Sequence, residues 1–266
     1  TTSYQEAIDY IENRGAPIVI KADGLAAGKG VVVAQTVDEA SKAVTAFLID
    51  GILGEAGKSL VIEECLSGQE ISVFAFTDGR EVSHLLPACD YKRIGDQNLG
   101  PNTGGMGGYS PPPWWDEHLE EQLRTTCIQP VVQKMADSGN PYRGVLYGGL
   151  MLTADGPMII EFNARLGDPE AELLLPRLET DFLDIVDAVI DGGVAGSPIH
   201  CSSDATVGIV LASEGYPASY RTGFAISRIP KNTDDQFLFH AGTVLDNERI
   251  VTSGGRVAVV VGKGDS

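Results

Sequence analysis

Three segments of the chain carry apolar residues at the spacing of an amphipathic helix. The pattern predicts helices over residues 3–14, 36–49 and 116–136. A Thr-x-x-Glu capping box opens the second of them. The third is expected to be interrupted at Pro130, because proline cannot donate a helical hydrogen bond.

Two more helices are predicted further along the chain. The first begins at Asp168, which has the composition of an N-cap followed by proline and acids. The second is capped by Thr180 and places Leu183, Val186 and Ile190 on one face. A paired glycine is expected to end it.

Short runs rich in β-branched residues predict strands between these helices. They cover residues 18–21, 31–34, 60–64, 70–77, 81–88, 144–152, 157–162, 206–211, 237–240 and 257–261. Residues 95–109 hold six glycines in fifteen positions and are expected to form a long loop. The sequence therefore predicts an α+β protein.

Composition narrows the class of protein. The 266 residues suggest one large or two modest domains at roughly 150 residues each. The formal net charge is 19 − 37 = −18, which disfavours binding to nucleic acid, since phosphate backbones prefer basic faces. No apolar run approaches the roughly 18 residues that span a bilayer, so no membrane association is expected. The four cysteines are widely spaced, which favours free thiols and a cytoplasmic location.

A lysine and a glycine-rich turn form the first group of candidate functional residues. Lys21 ends a predicted strand, and Gly24 to Gly30 follow it with Lys29 among them. Closely spaced glycines let backbone amides approach an anion, so the turn favours a phosphate-covering loop. The spacing fits neither a Walker A loop nor a dinucleotide fingerprint. An ordinary hairpin tip is the alternative interpretation.

Carboxylates at strand ends form the second and third groups. Glu63 to Leu66, followed by Glu70, could meet a base and ribose hydroxyls, or could be an exposed strand end. Glu161 and Asn163 lie two apart on a strand, so both side chains leave one face with oxygens suited to Mg²⁺. Arg165 continues this spacing and could meet an anion, or pair with Glu161 in a buried salt bridge.

A polar and glycine-rich segment is the fourth group. It runs from Asp90 through Lys92 and Arg93 to Asn102 and Gly107, and it offers many backbone donors with two cationic side chains. A solvated loop is the alternative interpretation here.

In this order the four groups resemble the ATP-grasp superfamily, and within it the glycinamide ribonucleotide synthetase family. The stretches that carry the resemblance are IVIKADGLAAGKGVVVA, VIEECLSGQEISVFAFTDG, DYKRIGDQNLGPNTGGMGGYSP, GVLYGGLML and IIEFNARLGDPE. The resemblance implies a ligase that uses ATP with Mg²⁺ or Mn²⁺ to convert glycine to glycyl phosphate, from which the amine of 5-phosphoribosylamine displaces phosphate. It implies small-molecule partners only and a monomer or weak oligomer.

The resemblance also implies a role for each matching residue. Those implied to bind the nucleotide are Lys21, Gly28, Lys29, Gly30, Glu63, Glu64, Cys65, Leu66 and Glu70. Those implied to bind the acceptor substrates are Asp90, Asn102, Gly167, Asp168, Pro169 and Glu170. Glu161 and Asn163 match the metal ligands, while Arg165 and Lys21 match catalytic positions.

The implied fold is two α+β subdomains that clasp ATP, followed by a small β-rich C-terminal domain. We expect the boundaries at residues 1–62, 63–198 and 199–266, with the N-terminal domain of the family absent. The strand before Glu161 lacks the carboxylate that many ATP-grasp enzymes carry there, so the number of metal ions is open. Another ATP-grasp carboxylate–amine ligase or carboxylase of purine metabolism, and a non-catalytic nucleotide-binding module, are the rival interpretations.

Overall fold

The computed structural model describes residues 1–26 and 30–265. By packing, the chain divides into two compact units, Thr1–Ser67 and Gly68–Ser266, which are described one at a time. In the described part of the chain, no helix is long and apolar enough to cross a membrane.

Unit 1 is a three-stranded antiparallel sheet with two helices. Its elements are α1 (Tyr4–Arg14), β1 (Ile18–Ala22), β2 (Val31–Ala34), α2 (Val37–Val44) and β3 (Leu60–Glu64), and the sheet order is β2-β1-β3. A π-helical turn at Thr45–Ile49 extends α2. The apolar faces of both helices and the sheet share one core. The first two predicted helices and the hairpin of β1 and β2 are confirmed.

Unit 2 is built on an eight-stranded sheet. Its strands are β4 (Gln69–Asp78), β5 (Leu86–Asp90), β6 (Arg93–Gly95), β7 (Leu99–Asn102), β8 (Gly107–Ser110), β9 (Arg143–Thr153), β10 (Gly156–Asn163), β11 (Ala205–Ala212), β12 (Gln236–His240), β13 (Thr243–Asp246), β14 (Arg249–Thr252) and β15 (Arg256–Gly264). Its helices are α3 (Glu117–Leu123), α4 (Gln129–Asp137), α5 (Glu170–Leu174) and α6 (Phe182–Asp191). The main sheet has the order β10-β9-β4-β5-β8-β11-β15-β12, and β6–β7 and β13–β14 form separate hairpins.

Strand β4 lies in the core of unit 2 and is buried on both faces. Val73 and Ala75 pack in the cluster that contains residues of α3 and α4, whereas Phe74 and Phe76 pack in the cluster that contains residues of α5 and α6. Because side chains alternate along a strand, the two clusters lie on opposite faces of the sheet. Helices therefore cover both sides of β4.

The predicted interruption at Pro130 is confirmed. The helix passes through a π-helical turn at Arg124–Ile128, and Pro130 lies in the first turn of α4. A proline is tolerated there because the first turn of a helix has no intrahelical partner for its backbone N–H groups.

The long glycine-rich loop predicted over residues 95–109 is wrong in two places. Residues 99–102 form β7, which pairs with β6. Residues 107–110 form β8, which joins the main sheet between β5 and β11. A Cβ atom at Gly107 would overlap the carbonyl of Gly208, and one at Gly108 would overlap the carbonyl of Cys89. These glycines permit close approach of neighbouring strands, which a composition rule takes for a loop signal.

Three further details differ from the sequence prediction. The strand predicted over residues 81–88 is displaced, because β5 begins at Leu86 and ends at Asp90. Pro169, and not Asp168, is the N-cap of α5, while Asp181 caps α6. Helix α6 buries Ile185 and Val189 and exposes Leu183 and Ile190, because apolar residues occupy two overlapping stripes and packing selects one.

The main sheet continues without a break across residue 199. Strands β11, β12 and β15 follow β8 in the same sheet that holds β4, β5, β9 and β10. The three-part division at residues 62 and 198 stays a prediction.

Candidate functional site

In unit 1, Lys21 lies near the end of β1 and forms an ion pair with Glu63 of β3. Their Nζ and Oε2 atoms are 2.5 Å apart. The register pairs Val19 with Glu63 and Lys21 with Val61, so the two charged residues are diagonal neighbours on one face of the sheet. The strands thus bring together a predicted phosphate-binding lysine and a predicted adenine-binding glutamate.

The glycine-rich turn after Lys21 is only partly described. Gly24 donates its N–H to the carbonyl of Ala56 at 3.1 Å, and a Cβ atom at this position would overlap Ala56. The carbonyl of Gly30 accepts the N–H of Ala22 at 2.8 Å. Gly28 and Lys29, which were predicted to cover phosphates, lie outside the described residues.

The predicted base-binding segment follows β3 directly. Glu64 is exposed at the end of the strand, and Cys65 and Leu66, which follow it, are half-buried. The segment therefore lies at the end of β3, and its contact with adenine stays a prediction.

In unit 2, four acidic residues lie around Lys92 and Tyr147. They are Glu70 of β4, Asp90 of β5, Glu161 of β10 and Glu170 of α5. Lys92 forms an ion pair with Glu70, and its ammonium lies in the field of Asp90 and Glu161. Burial opposes the charge on Lys92, but these carboxylates outweigh it and raise the pKa of Lys92. We call Glu70, Asp90, Lys92, Glu161 and Glu170 the carboxylate cluster.

Asp90 is the last residue of β5 and belongs to the carboxylate cluster. Burial raises the pKa of Asp90 to about 7, and the negative charges of Glu170 and Glu70 add to this, while Lys92 opposes it. A carboxyl with a pKa near neutrality in a polar cluster is typical of a functional site.

Glu161 and Asn163 leave the same face of β10, as predicted. The Nδ2 atom of Asn163 donates to Oε1 of Glu161 at 3.4 Å. A bulge between Ile159 and Glu161 shifts the register, so that Glu161 lies opposite Gly149. A Cβ atom at Gly149 would come within 3.3 Å of Cγ of Glu161, so the glycine leaves space for that carboxylate.

The donor atoms of this pair suit a hard divalent cation. Carboxylate and amide oxygens are the ligands that Mg²⁺ accepts, usually together with water and phosphate oxygens. Within residues 1–26 and 30–265, no cluster of three or more His, Cys, Asp or Glu residues could hold a metal ion. Glu161 and Asn163 therefore fit a metal that takes its remaining ligands from a bound phosphate group and water.

Arg165 lies just beyond β10 with an exposed side chain. Its guanidinium donates to the carbonyl of Leu166 at 2.9 Å. Among the described residues no ion pair joins Arg165 to Glu161, so the alternative of a buried salt bridge is wrong.

Glu170 is buried at the start of α5, where the helix dipole favours an acid. Its Oε1 accepts a hydrogen bond from Ser72 at 3.2 Å, and the Ser72 hydroxyl lies 2.8 Å from that of Tyr147. A Cβ atom at Gly167 would overlap the Glu170 carboxylate, so the carboxylate fits only because Gly167 has no side chain. The sequence predicted Glu170 and Gly167 but missed Ser72 and Tyr147.

The remaining acceptor-site predictions fall on two neighbouring segments. Asn102 is exposed at the end of β7, Asp168 is exposed, and Pro169 is buried. Arg256 of β15 forms an ion pair with Asp168 at 3.0 Å. Arg256 lay outside every sequence motif, and only the fold brings it to this position.

Comparison with known sequences identifies the family to which this chain belongs. Residues 1–171 match the family described as phosphoribosylglycinamide synthetase, ATP-grasp (A) domain, and residues 206–266 match its C domain. The phosphoribosylamine–glycine ligases of Ralstonia nicotianae and Halalkalibacterium halodurans are 47% and 46% identical over 98% and 97% of this chain. The chain spans 62% and 60% of the length of these two relatives.

Comparison with solved structures gives the same family. The phosphoribosylamine–glycine ligase of Thermotoga maritima is 34% identical and superimposes with a TM-score of 0.87 over 99% of this chain and 66% of its own. The biotin carboxylase of Campylobacter jejuni, in a complex with β,γ-ATP, has a TM-score of 0.73 at 15% identity over 99% of this chain and 57% of its own, which shows the fold alone. The predicted ATP-grasp fold is confirmed, and the chain belongs to the phosphoribosylglycinamide synthetase family.

Proposed function

We propose that this chain carries the ATP and acceptor sites of a ligase that joins glycine to 5-phosphoribosylamine. The glycine carboxylate attacks the γ-phosphate of ATP to give glycyl phosphate and ADP, and the amine then displaces phosphate to give glycinamide ribonucleotide. The carboxylate cluster with its single lysine is the observation that supports this most, because it offers groups for a metal, a phosphate and an amine in one place. The identity of 47% to a phosphoribosylamine–glycine ligase supports this choice of reaction.

In this proposal the nucleotide is held by cationic and backbone groups. Lys21 contacts ATP phosphates, and Gly28, Lys29 and Gly30 belong to the loop that covers them. The adenine ring meets the segment from Glu63 to Leu66. Glu70 accepts hydrogen bonds from the ribose hydroxyls, which requires its carboxylate to be shared with Lys92 or released by it.

Glu161 and Asn163 would hold the divalent metal through their side-chain oxygens. Mg²⁺ or Mn²⁺ supplies neutralisation of the phosphate charge when bound. Arg165 steadies the transferred phosphate, and its exposed side chain leaves it able to turn toward an anion. The family's chemistry is then chiefly positioning, electrostatics and exclusion of water.

The acceptor side is formed by Asp90, Asn102 and the segment from Gly167 to Glu170. The buried position of Glu170 and the pKa of Asp90 near 7 support a pocket that meets a cationic or hydrogen-bonding group, such as an amine. We further propose a cytoplasmic location, which the four free cysteines support.

The decisive experiment measures glycine-dependent release of ADP by the complete natural protein, with Mg²⁺ and freshly generated phosphoribosylamine. ADP is expected only when glycine and the amine are both present. Replacing Mg²⁺ with Mn²⁺ in parallel reactions identifies the preferred metal.

Nucleotide binding without any dependence on glycine would contradict the glycine assignment. The ATP site would then stand, and other carboxylates would be screened as acceptors. Lys21→Met is expected to weaken ATP binding, with Lys58→Met on the exposed surface of unit 1 as its matched control. Unchanged ATP binding in Lys21→Met would contradict the phosphate contact.

A further inference from the structure

Arg256 joins two separate segments of the proposed acceptor site. Its Nη1 atom donates to the carbonyls of Gly104 at 2.7 Å, Asp168 at 2.8 Å and Gly105 at 3.5 Å. The same atom lies 3.0 Å from Oδ1 of Asp168, and the Arg256 side chain is 21% exposed. A single guanidinium thus binds the backbone of the glycine-rich segment and both the backbone and the side chain of Asp168.

A second residue of the C-terminal region holds the same glycine. The hydroxyl of Tyr216 accepts the N–H of Gly104 at 3.0 Å. The N–H and the carbonyl of Gly104 are therefore both bound by side chains that lie more than 100 positions away in the sequence.

The two segments that Arg256 joins are also in direct contact. Gly105 has a φ of +107°, and a Cβ atom on it would lie 2.5 Å from Cδ of Pro169. Only glycine fits such a contact without moving one of the segments. Any shift of the glycine-rich segment would therefore be transmitted to the start of α5.

We propose that Arg256 is a positioning residue for the acceptor substrates, an inference that rests on the proposed function. Asn102 and Asp168, which the proposed function assigns to the acceptor substrates, lie on the two segments that Arg256 binds. Binding groups recognise a small molecule specifically only when something fixes them in place. A planar guanidinium with several N–H donors can bind several oxygens at once, which the ammonium of lysine does less well.

The test compares Arg256→Met with the wild type in the complete protein. We expect kcat/KM for glycine and for phosphoribosylamine to fall about 10- to 100-fold, because small displacements of binding groups have effects of that size. The KM for ATP is expected to stay within about twofold, since Arg256 contacts none of the residues proposed for the nucleotide. Arg249→Met, an exposed arginine of the nearby hairpin, is the matched control and is expected to match the wild type.

A conservative variant and a second measurement keep the test decisive if Arg256→Met is unstable. Arg256→Lys keeps the ion pair with Asp168 and is expected to recover part of the lost kcat/KM. Tyr216→Phe removes one hydrogen bond to Gly104 and is expected to show a smaller loss with the same pattern. Hydrogen exchange of the amides at residues 104–106 is expected to accelerate in Arg256→Met while exchange in β9 and β10 stays unchanged.

Two results would overturn the proposal. One is a fall in kcat that follows the loss of thermal stability while the KM values for glycine and the amine stay unchanged, because that marks a purely structural role. The other is an equal rise in the KM for ATP. Absence of glycine-dependent ADP release in the wild type would instead refute the proposed function, and the exchange measurement would still test whether Arg256 fixes the segment.

Discussion

The two ends of one face of β4 hold carboxylates in opposite surroundings. Along this face the side chains are Glu70, Ser72, Phe74, Phe76 and Asp78, with aromatic residues in the middle and an acid near each end. The Glu70 end belongs to the carboxylate cluster. The Asp78 end faces the turn after β4 and the segment after α6.

Asp78 is stabilised as an anion by the backbone. It accepts N–H groups from Glu81 at 2.9 Å, Arg80 at 3.0 Å and Val194 at 3.4 Å. Burial acts to raise the pKa of Asp78, but these hydrogen bonds and the charge of Arg143 outweigh it and hold the pKa below its ordinary value. This carboxylate therefore contributes to folding stability.

At the Glu70 end of this face, carboxylates lie close to other carboxylates. Asp90 has its pKa raised to about 7 by burial and by the charges of Glu170 and Glu70, with Lys92 as the opposing cation. Groups gathered in this way cost folding free energy in the absence of a ligand, whereas bound cations or an amine would offset the cost. The contrast agrees with the proposed function, in which the Glu70 end of β4 binds ligands while the Asp78 end stabilises the fold.

Glu161→Ala is expected to have the largest effect, on turnover and not on stability. A lost metal ligand removes several kcal/mol of transition-state stabilisation, which at about 1.4 kcal/mol per tenfold is two or more orders of magnitude in kcat. The exposed position of Glu161 predicts a change of less than about 0.5 kcal/mol in unfolding free energy. Steady-state kinetics and urea unfolding measure the two effects, with Glu117→Ala as the control. A wild-type rate in Glu161→Ala would refute the metal assignment.

Asp78→Ala is expected to reverse this pattern. Loss of a buried acceptor leaves backbone N–H groups unsatisfied, which predicts a loss of about 3 kcal/mol in unfolding free energy. Because the folded pKa of Asp78 lies below the ordinary 3.8, its contribution is present above about pH 4 and disappears as the pH falls through the folded value. Asp78→Asn should therefore flatten the acid limb of the stability curve. An unchanged acid limb would show that Asp78 gains nothing from its charge.

Asp90→Asn tests a pH dependence of folding stability that is opposite to that of Asp78. With a folded pKa of about 7 against an ordinary 3.8, the folded protein keeps a proton that the unfolded chain has released. Stability of the unliganded protein therefore falls as the pH rises from about 4 to about 7, and Asp90→Asn removes this fall. We expect the variant to be more stable by about 2 kcal/mol at pH 8 and equal to the wild type at pH 4, by urea unfolding. A variant less stable than the wild type at pH 8 would contradict the contrast between the two ends.

Arg143→Met gives the smallest effect. The charge of Arg143 lowers the pKa of Asp78 from an exposed position, so its removal is expected to raise that pKa and to cost about 0.5 kcal/mol of stability. NMR titration of Asp78 measures the first effect. High salt should abolish the difference between wild type and variant, because exposed charges are screened. A difference that persists in high salt would point to the hydrogen bond from Arg143 to the carbonyl of Ile190.

Local patterns predicted the elements that depend on local physics. The interruption at Pro130 and the hairpin of β9 and β10 were visible because proline chemistry and strand alternation act over a few residues. The predictions for the glycine-rich segment that forms β8 and for the buried face of α6 were wrong for a different reason. Both depend on which partner packs against the segment, and that partner lies far away in the sequence.

The same division applies to the site. Glu161 and Asn163 could be paired from their spacing on one strand, and the structure confirms that they share a face. Arg256 could not be found in this way, because 88 positions separate it from Asp168 and its own strand reads as ordinary core. The pairing of Lys92 with Glu70 was likewise invisible, since either residue alone looks like a solvated surface charge.

The position of β8 in the main sheet has a consequence for biosynthesis. Strand β8 pairs with β5 only at Cys89 and Asp90, whereas its longer pairing is with β11, about 100 residues later. A chain that leaves the ribosome from its N-terminus cannot complete this pairing until β11 has emerged. The glycine-rich segment that leads into β8 therefore acquires its final shape late in translation, after the strands that carry Glu70, Asp90 and Glu161 have already been made.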